Sequence, residues 1–175
     1  MWAATVPPIV GALEARLKAS KSGDDEAEAL FLVTEAFTYK AASKSIIKAI
    51  VGGDALQFNN YVDEMVRKYP SYDNGLAHIY RGAFFLAAPW PVYSPKKAQK
   101  HFLDALAVDP QSHRALYYAG VGAYYCKRYK EATGYFEKAA CKSSSTATTT
   151  SEKDCEVYIR DESKRAMEVC RGLKE

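Results

Sequence analysis

SPKKAQKHFLDALAVDP, residues 94–110, repeats its apolar face thirty-four positions later in KRYKEATGYFEKAACK, residues 127–142. Ala98 matches Ala132, Phe102 matches Phe136 and Ala105 matches Ala139. Steps of four and three residues place each set on one face of a helix. Ser94 before Pro95 supplies an N-cap and a first helical position, and Asp109-Pro110 ends the segment. Leu116, Gly120 and Tyr124 precede the second copy, with Tyr129 at the turn. Small residues at Gly120, Ala132 and Ala139 let helix backbones approach, and Phe136 fills the space between neighbouring pairs. A period of about 34 residues is that of a helix–turn–helix unit stacked in a solenoid.

Working outward from this repeat, the rest of the chain also reads as helices joined by short breaks. Ile9 to Lys18 is a short helix. Ser22-Gly23-Asp24 punctuates it and supplies the next N-cap. Glu26 to Val51 carries Ala27, Leu30, Phe31, Thr34, Phe37, Thr38 and Ala41 at helical spacing. Gly52-Gly53 ends that helix, and Asp54 caps the next, which runs to Tyr69 through Phe58, Tyr61, Val62, Met65 and Val66. Tyr72 to Ala87 follows. Three prolines then keep Pro89-Trp90-Pro91-Val92-Tyr93-Ser94-Pro95 out of helix. Ser112 to Cys126, Tyr129 to Lys142 and Glu152 to Leu173 complete the series. The expected fold class is all-α, in one domain over residues 1–175. Residues 9–71 hold degenerate N-terminal helices, and 72–109 and 112–142 are the two repeat units. Residues 143–151, rich in Ser and Thr, form a flexible loop or a phosphorylation target. Residues 152–173 form a helix that caps the last apolar face.

Bulk features narrow the functional classes. The 175 residues carry a net charge of +3, with 26% charged and 48% hydrophobic residues. Basic and acidic residues are interspersed, which argues against a nucleic-acid partner. The densest basic stretch, Lys127 to Lys142, reads as a solvated helix face. Apolar runs are broken by charge, so membrane insertion is not expected. The N-terminus shows no basic leader, and a cytoplasmic location is favoured over a processed periplasmic or organellar form. Cys126, Cys141, Cys155 and Cys170 recur every 14 or 15 residues, unlike zinc-ligand pairs. Free core thiols are favoured, with one or two disulfides as the alternative, Cys126 and Cys141 being able to face each other across a helical hairpin.

The Ala/Phe/Ala face and the Gly120 approach resemble the tetratricopeptide repeat. That resemblance implies a right-handed α-solenoid of antiparallel helix pairs whose first helices line a concave surface. The order "YRGAFFLAAPW", "SPKKAQKHFLDALAVDP", "YYAGVGAYYCKRYKEATGYFEKA" also resembles two helical families over residues 26–142. One is the T-component family of TRAP-type transport systems, and the other comprises proteins of the regulator-of-microtubule-dynamics type. The first likeness implies docking to a substrate-binding subunit.

No catalytic motif emerges. His78, His101 and His113 sit outside any HExxH or Cys–His cluster, and no convergence of metal ligands is expected. Asp24-Asp25-Glu26 suits a helix start, and Asp63-Glu64 has no apolar pocket to raise a pKa. Neither Gly52-Gly53 nor Gly120-Val121-Gly122 has the flanks of a phosphate loop. No enzyme activity, cofactor or metal is expected.

Candidate partner-binding residues follow from the implied concave face. They are Tyr80, Arg81 and Phe84 in one unit, near Tyr72, Asp73 and His78. In the other they are Arg114, Tyr117, Tyr118 and Tyr125, near His113 and Val121. Six of the thirteen tyrosines fall between Tyr117 and Tyr135. Tyrosine offers contact area and a polar tip, and arginine offers charge-assisted bonds to an acidic group. Of Tyr117 and Tyr118, one is expected to be exposed. Trp90 and Tyr93 either lie across the groove mouth or plug a gap between helix pairs. The function read from these features is a non-catalytic adaptor that binds a protein or peptide. The alternative is a transport-associated, periplasmic-type protein that binds a small apolar ligand.

Overall fold

A computed structural model describes residues 2–42, 52–141 and 150–173. The described residues form an all-α fold. It consists of α1 (Trp2–Ala19), α2 (Asp24–Ala42), α3 (Asp54–Lys68), α4 (Leu76–Ala87), α5 (Pro95–Val108), α6 (His113–Tyr125), α7 (Tyr129–Cys141) and α8 (Thr150–Arg171). The sequence expectations for residues 43–51 and for most of the 143–151 loop lie outside the described residues. The backbone divides into two compact units, Met1–Tyr72 and Asp73–Glu175. No helix among the described residues is long and apolar enough to cross a membrane.

In the first unit α1 packs on α2 and α2 on α3. Helix α1 begins at Trp2, seven residues before the expected Ile9. The apolar face of α2 is largely as its periodicity predicts, with Ala27, Leu30, Thr34 and Phe37 buried. Thr34 remains in the core because its hydroxyl donates to the Leu30 carbonyl at 2.7 Å, one turn back. Thr38, expected on the same face, is exposed. From α3, Val62 and Met65 join this core, and Tyr61 sets its ring against Phe37 at 5.5 Å.

Asp54 does not cap α3. Gly53, at φ 78°, takes the N-cap position without a side-chain bond. Asp54 is buried, and its carboxylate meets the Lys40 ammonium at 2.8 Å. Tyr61 donates to the Glu14 carboxylate at 2.9 Å. Burial, with that bond second, pushes the Tyr61 phenol up to about 12.

In the second unit successive helices run antiparallel, α4 packing on α5, α5 on α6, α6 on α7 and α7 on α8, and α8 also packs on α6. Ser94 caps α5 by accepting from the Lys97 amide, and Pro95 opens the helix. Ser112 likewise caps α6 through the Ala115 amide at 3.2 Å. The expected helix start at Tyr72 is instead a 3-10 turn over Tyr72–Gly75. Asp73 and Asn74 both have positive φ there. Gly75 is required at this point on two counts. Its φ is 80°, and an added Cβ would sit 3.1 Å from the Ala105 backbone of α5.

The repeat face holds as a core. Ala98, Phe102, Ala105, Ala132, Phe136 and Ala139 are all buried. Each phenylalanine lies against a facing glycine. A Cβ on Gly82 would strike the Phe102 ring, and one on Gly120 would lie 2.6 Å from that of Phe136. Phe102 also reaches α6, where a Cβ on Gly122 would be 2.8 Å away and the tilted ring of Tyr118 lies at 5.4 Å. Phe136 packs with Ala123, Ala132 and Cys170, and with Ala166 and Met167 of α8.

The cysteines are not uniformly core residues. Cys126, Cys141 and Cys170 are free thiols, and only Cys170 is buried, while Cys141 is exposed at the end of α7.

Two outcomes test this packing. Gly120→Val should destabilise the second unit by about 2 kcal/mol through overpacking against Phe136, read as a lower urea midpoint. In the first unit, the Tyr61 phenol is protonated in the fold at a pH where the unfolded phenol, near 10, ionises. Stability should therefore fall as pH rises from the unfolded value through the folded one. Tyr61→Phe should flatten that alkaline loss in denaturant titrations.

Candidate functional site

The residues that the sequence nominates separate into three local settings, all within the second unit. The first is the aromatic seam of α6. Tyr117 and Tyr118 are both half-buried, contrary to the expectation that one would be exposed. Their rings meet edge to face at 5.3 Å. Tyr117 packs on Phe136 at 5.7 Å, and Tyr118 packs on Phe102. Adjacent helical positions diverge by about 100°, and here one ring serves each flanking phenylalanine, so both are partly covered. Burial raises the Tyr117 phenol above its usual value. Tyr125, at the end of α6, is exposed, and its ring meets Tyr124 edge to face.

The second setting is the arginine pair. Arg114 reaches back to the turn before α4. One guanidinium nitrogen lies 2.9 Å from the Asp73 carboxylate and donates to the Asp73 carbonyl at 2.6 Å. It thereby holds a residue whose φ is 43°. Arg81 lies over the rings of Phe84 and Phe85, at 5.6 and 4.9 Å from their centroids. Tyr80 is half-buried.

The third setting is the α4–α5 connection. The Val92 and Tyr93 amides donate to the Pro89 carbonyl, and the Ser94 amide donates to the Phe85 carbonyl at 2.9 Å. These bonds tie the loop back to the helix it leaves. On this loop Trp90 is 88% exposed and Tyr93 43% exposed. Trp90 therefore plugs no gap between helix pairs.

A fourth group converges that the sequence did not announce. His78 on α4 faces His101 on α5 with the two Nδ1 atoms 3.5 Å apart. The Asp104 carboxylate, one turn on from His101, lies 4.0 Å from the His101 Nδ1. All three side chains are half-buried. The buried ring of Phe85 stacks on His101 at 5.8 Å with 19° between planes. Burial lowers the pKa of both histidines, and for His101 the neighbouring His78 lowers it further. The signal that would have found this group is the register of the pair. Gly75 faces Ala105 and Gly82 faces Phe102, and position 78 of an antiparallel neighbour then falls opposite 101 and 104. By contrast His113, also buried, is a packing residue. Its Nδ1 donates to the Ala139 carbonyl at 2.8 Å.

No protein-family model matches the chain, and neither does any curated protein or solved structure.

Arg114 is engaged at the turn before α4. Arg114→Ala should lower stability by about 1 kcal/mol and speed amide hydrogen exchange at residues 73–76. Lys at this position, a flexible point charge without the planar guanidinium, should recover only part of the loss.

Proposed function

We propose that the chain is a non-catalytic protein-interaction module of tetratricopeptide-repeat type. In this reading α4–α5 and α6–α7 are successive helix pairs, and α8 covers the last apolar face. The recurrence of one contact supports it: Gly82 against Phe102, then Gly120 against Phe136. A second support is that Cys170, Ala166 and Met167 of α8 reach the cluster around Phe136. Outside that face, α8 carries charged neighbours such as Asp161–Lys164 and Glu162–Arg165, with Tyr158 and Val169 exposed among them.

The observation that carries the interaction reading is Trp90. A tryptophan that is 88% exposed leaves a large apolar ring in water. The loop beneath it is held by three backbone hydrogen bonds, so the ring is presented with little further ordering to do on binding. Exposed aromatic residues of this kind anchor protein interfaces. Tyr93 and Val92 extend the same apolar surface. Tyr80, Arg81 and Phe84 on α4 and Tyr125 on α6 would flank a partner as adaptable contacts. The partner is a protein or an extended peptide that offers an apolar pocket for the indole. A small apolar ligand held between Phe84, Phe85 and Trp90 would need the indole turned inward, and its exposure favours the protein partner.

Affinity capture from the source cell with wild-type protein and with Trp90→Ala tests this. Loss of a hot-spot anchor is worth about 2 kcal/mol, roughly thirtyfold in affinity. The variant should lose the captured partner at unchanged melting temperature. Equal capture by both proteins would sink the assignment of the loop.

A further inference from the structure

We propose that His78, His101 and Asp104 form a binding site for a first-row divalent transition cation of the zinc type, which staples α4 to α5 and keeps a coordination position open to solvent. The first support is distance. Ligand atoms about 2.0–2.1 Å from a tetrahedral zinc lie about 3.3–3.4 Å from one another. The two imidazole Nδ1 atoms already stand 3.5 Å apart. The Asp104 oxygen is 4.0 Å from His101, and all three ligand atoms lie within 4.8 Å of one another. A small rotation of the carboxylate closes the remaining gap.

The second support is the donor set. Two imidazoles and one carboxylate suit zinc and its neighbours in the first transition row. Calcium and magnesium prefer oxygen donors, and cuprous copper prefers sulfur. Neutral imidazole is the form that ligates, and both rings are drawn from water by half-burial on facing helices. Two Nδ1 atoms facing each other in a metal-free pair share at most one hydrogen bond, whereas a cation between them satisfies both.

The third support is preorganisation. His101 and Asp104 are three residues apart on one helix, and His78 is on its antiparallel neighbour. The pair is locked one turn away, where Gly82 admits the Phe102 ring. Phe85 stacks on His101 and fixes its ring plane. Ligands on rigid elements, with one held by a packed neighbour, lose little entropy on binding. Partial exposure of all three, 21% for His101 and 35% for Asp104, leaves room for water as a further ligand, the arrangement of an open rather than a closed site.

Two cations face the group and set its affinity. Lys100 holds the Asp104 carboxylate at 2.8 Å, but its own side chain is 73% exposed and swings away at small cost. Arg81 is engaged over Phe85 and contributes positive charge from the α4 side.

The test uses the full, folded chain with its accessible thiols, such as that of the exposed Cys141, blocked by alkylation under native conditions, so that surface sulfur does not contribute. Zinc is titrated by calorimetry, and cobalt is titrated in parallel to read the visible bands of a low-coordinate site. One equivalent should bind, and zinc should raise the melting temperature. His101→Gln and His78→Gln should each weaken binding at least tenfold and abolish the thermal shift. Asp104→Asn, at a half-exposed position, supplies a ligand deletion that leaves the helix pair folded. Lys100→Gln should tighten binding severalfold by freeing the carboxylate. Failure of the thiol-blocked wild type to take up zinc would overturn the site. So would uptake that persists unchanged in both histidine variants and in Asp104→Asn.

Discussion

The rings of Phe102 and Phe136 occupy space where a side chain on the facing glycine would otherwise be. Gly82 and Gly120 have no Cβ, so each first helix closes onto the ring of its second helix. Ring and backbone then form a continuous packed layer, and neither position accepts a larger residue without moving a buried aromatic group. The other contacts of the second unit are arranged around these two rings. Phe102 reaches forward to Tyr118 and Gly122, and Phe136 reaches forward to α8.

Because the helices are close and their register is fixed, polar groups on the seam meet at defined places. His113 meets the Ala139 carbonyl, His78 meets His101, and Arg114 meets Asp73. Gln99 is buried beside Gly122, and its amide has no hydrogen-bond partner among the described residues. The first unit relies on different chemistry, with a core of Leu30, Val33, Phe37, Val62 and Met65 bounded by ion pairs and tyrosine hydroxyls. Glu26 there accepts from both Lys68 and Tyr69 at 2.6 Å, which holds its pKa below the usual value.

The parts of the fold legible in the sequence were those that depend on local pattern. The Ala98–Phe102–Ala105 face, its copy at Ala132–Phe136–Ala139 and the Ser94-Pro95 helix start are set by residues within a turn of one another. Asp54 was misread because a cap is a local motif, while its partner Lys40 sits on the preceding helix. Tyr117 and Tyr118 were misread because periodicity assigns one neighbour inward and one outward, whereas α6 has a phenylalanine on each side. The histidine–aspartate group was invisible for the same reason. His78 and His101 are 23 residues apart, and only the pairing of Gly82 with Phe102 brings them into opposition. Trp90 was assigned to the correct connection, but its exposure depends on how backbone hydrogen bonds tie that loop back.

The grip of Arg114 on Asp73 spans 41 residues and fastens the start of the first helix pair with a side chain from the next. Phe102 makes the same forward reach to Tyr118. A fragment ending after α5 would leave the left-handed residues at 73 and 74 without their clamp and expose one side of the Phe102 ring. A fragment that keeps both contacts therefore has to include α6 as well as α4 and α5. Any truncation or circular permutation of this unit has to respect that overlap.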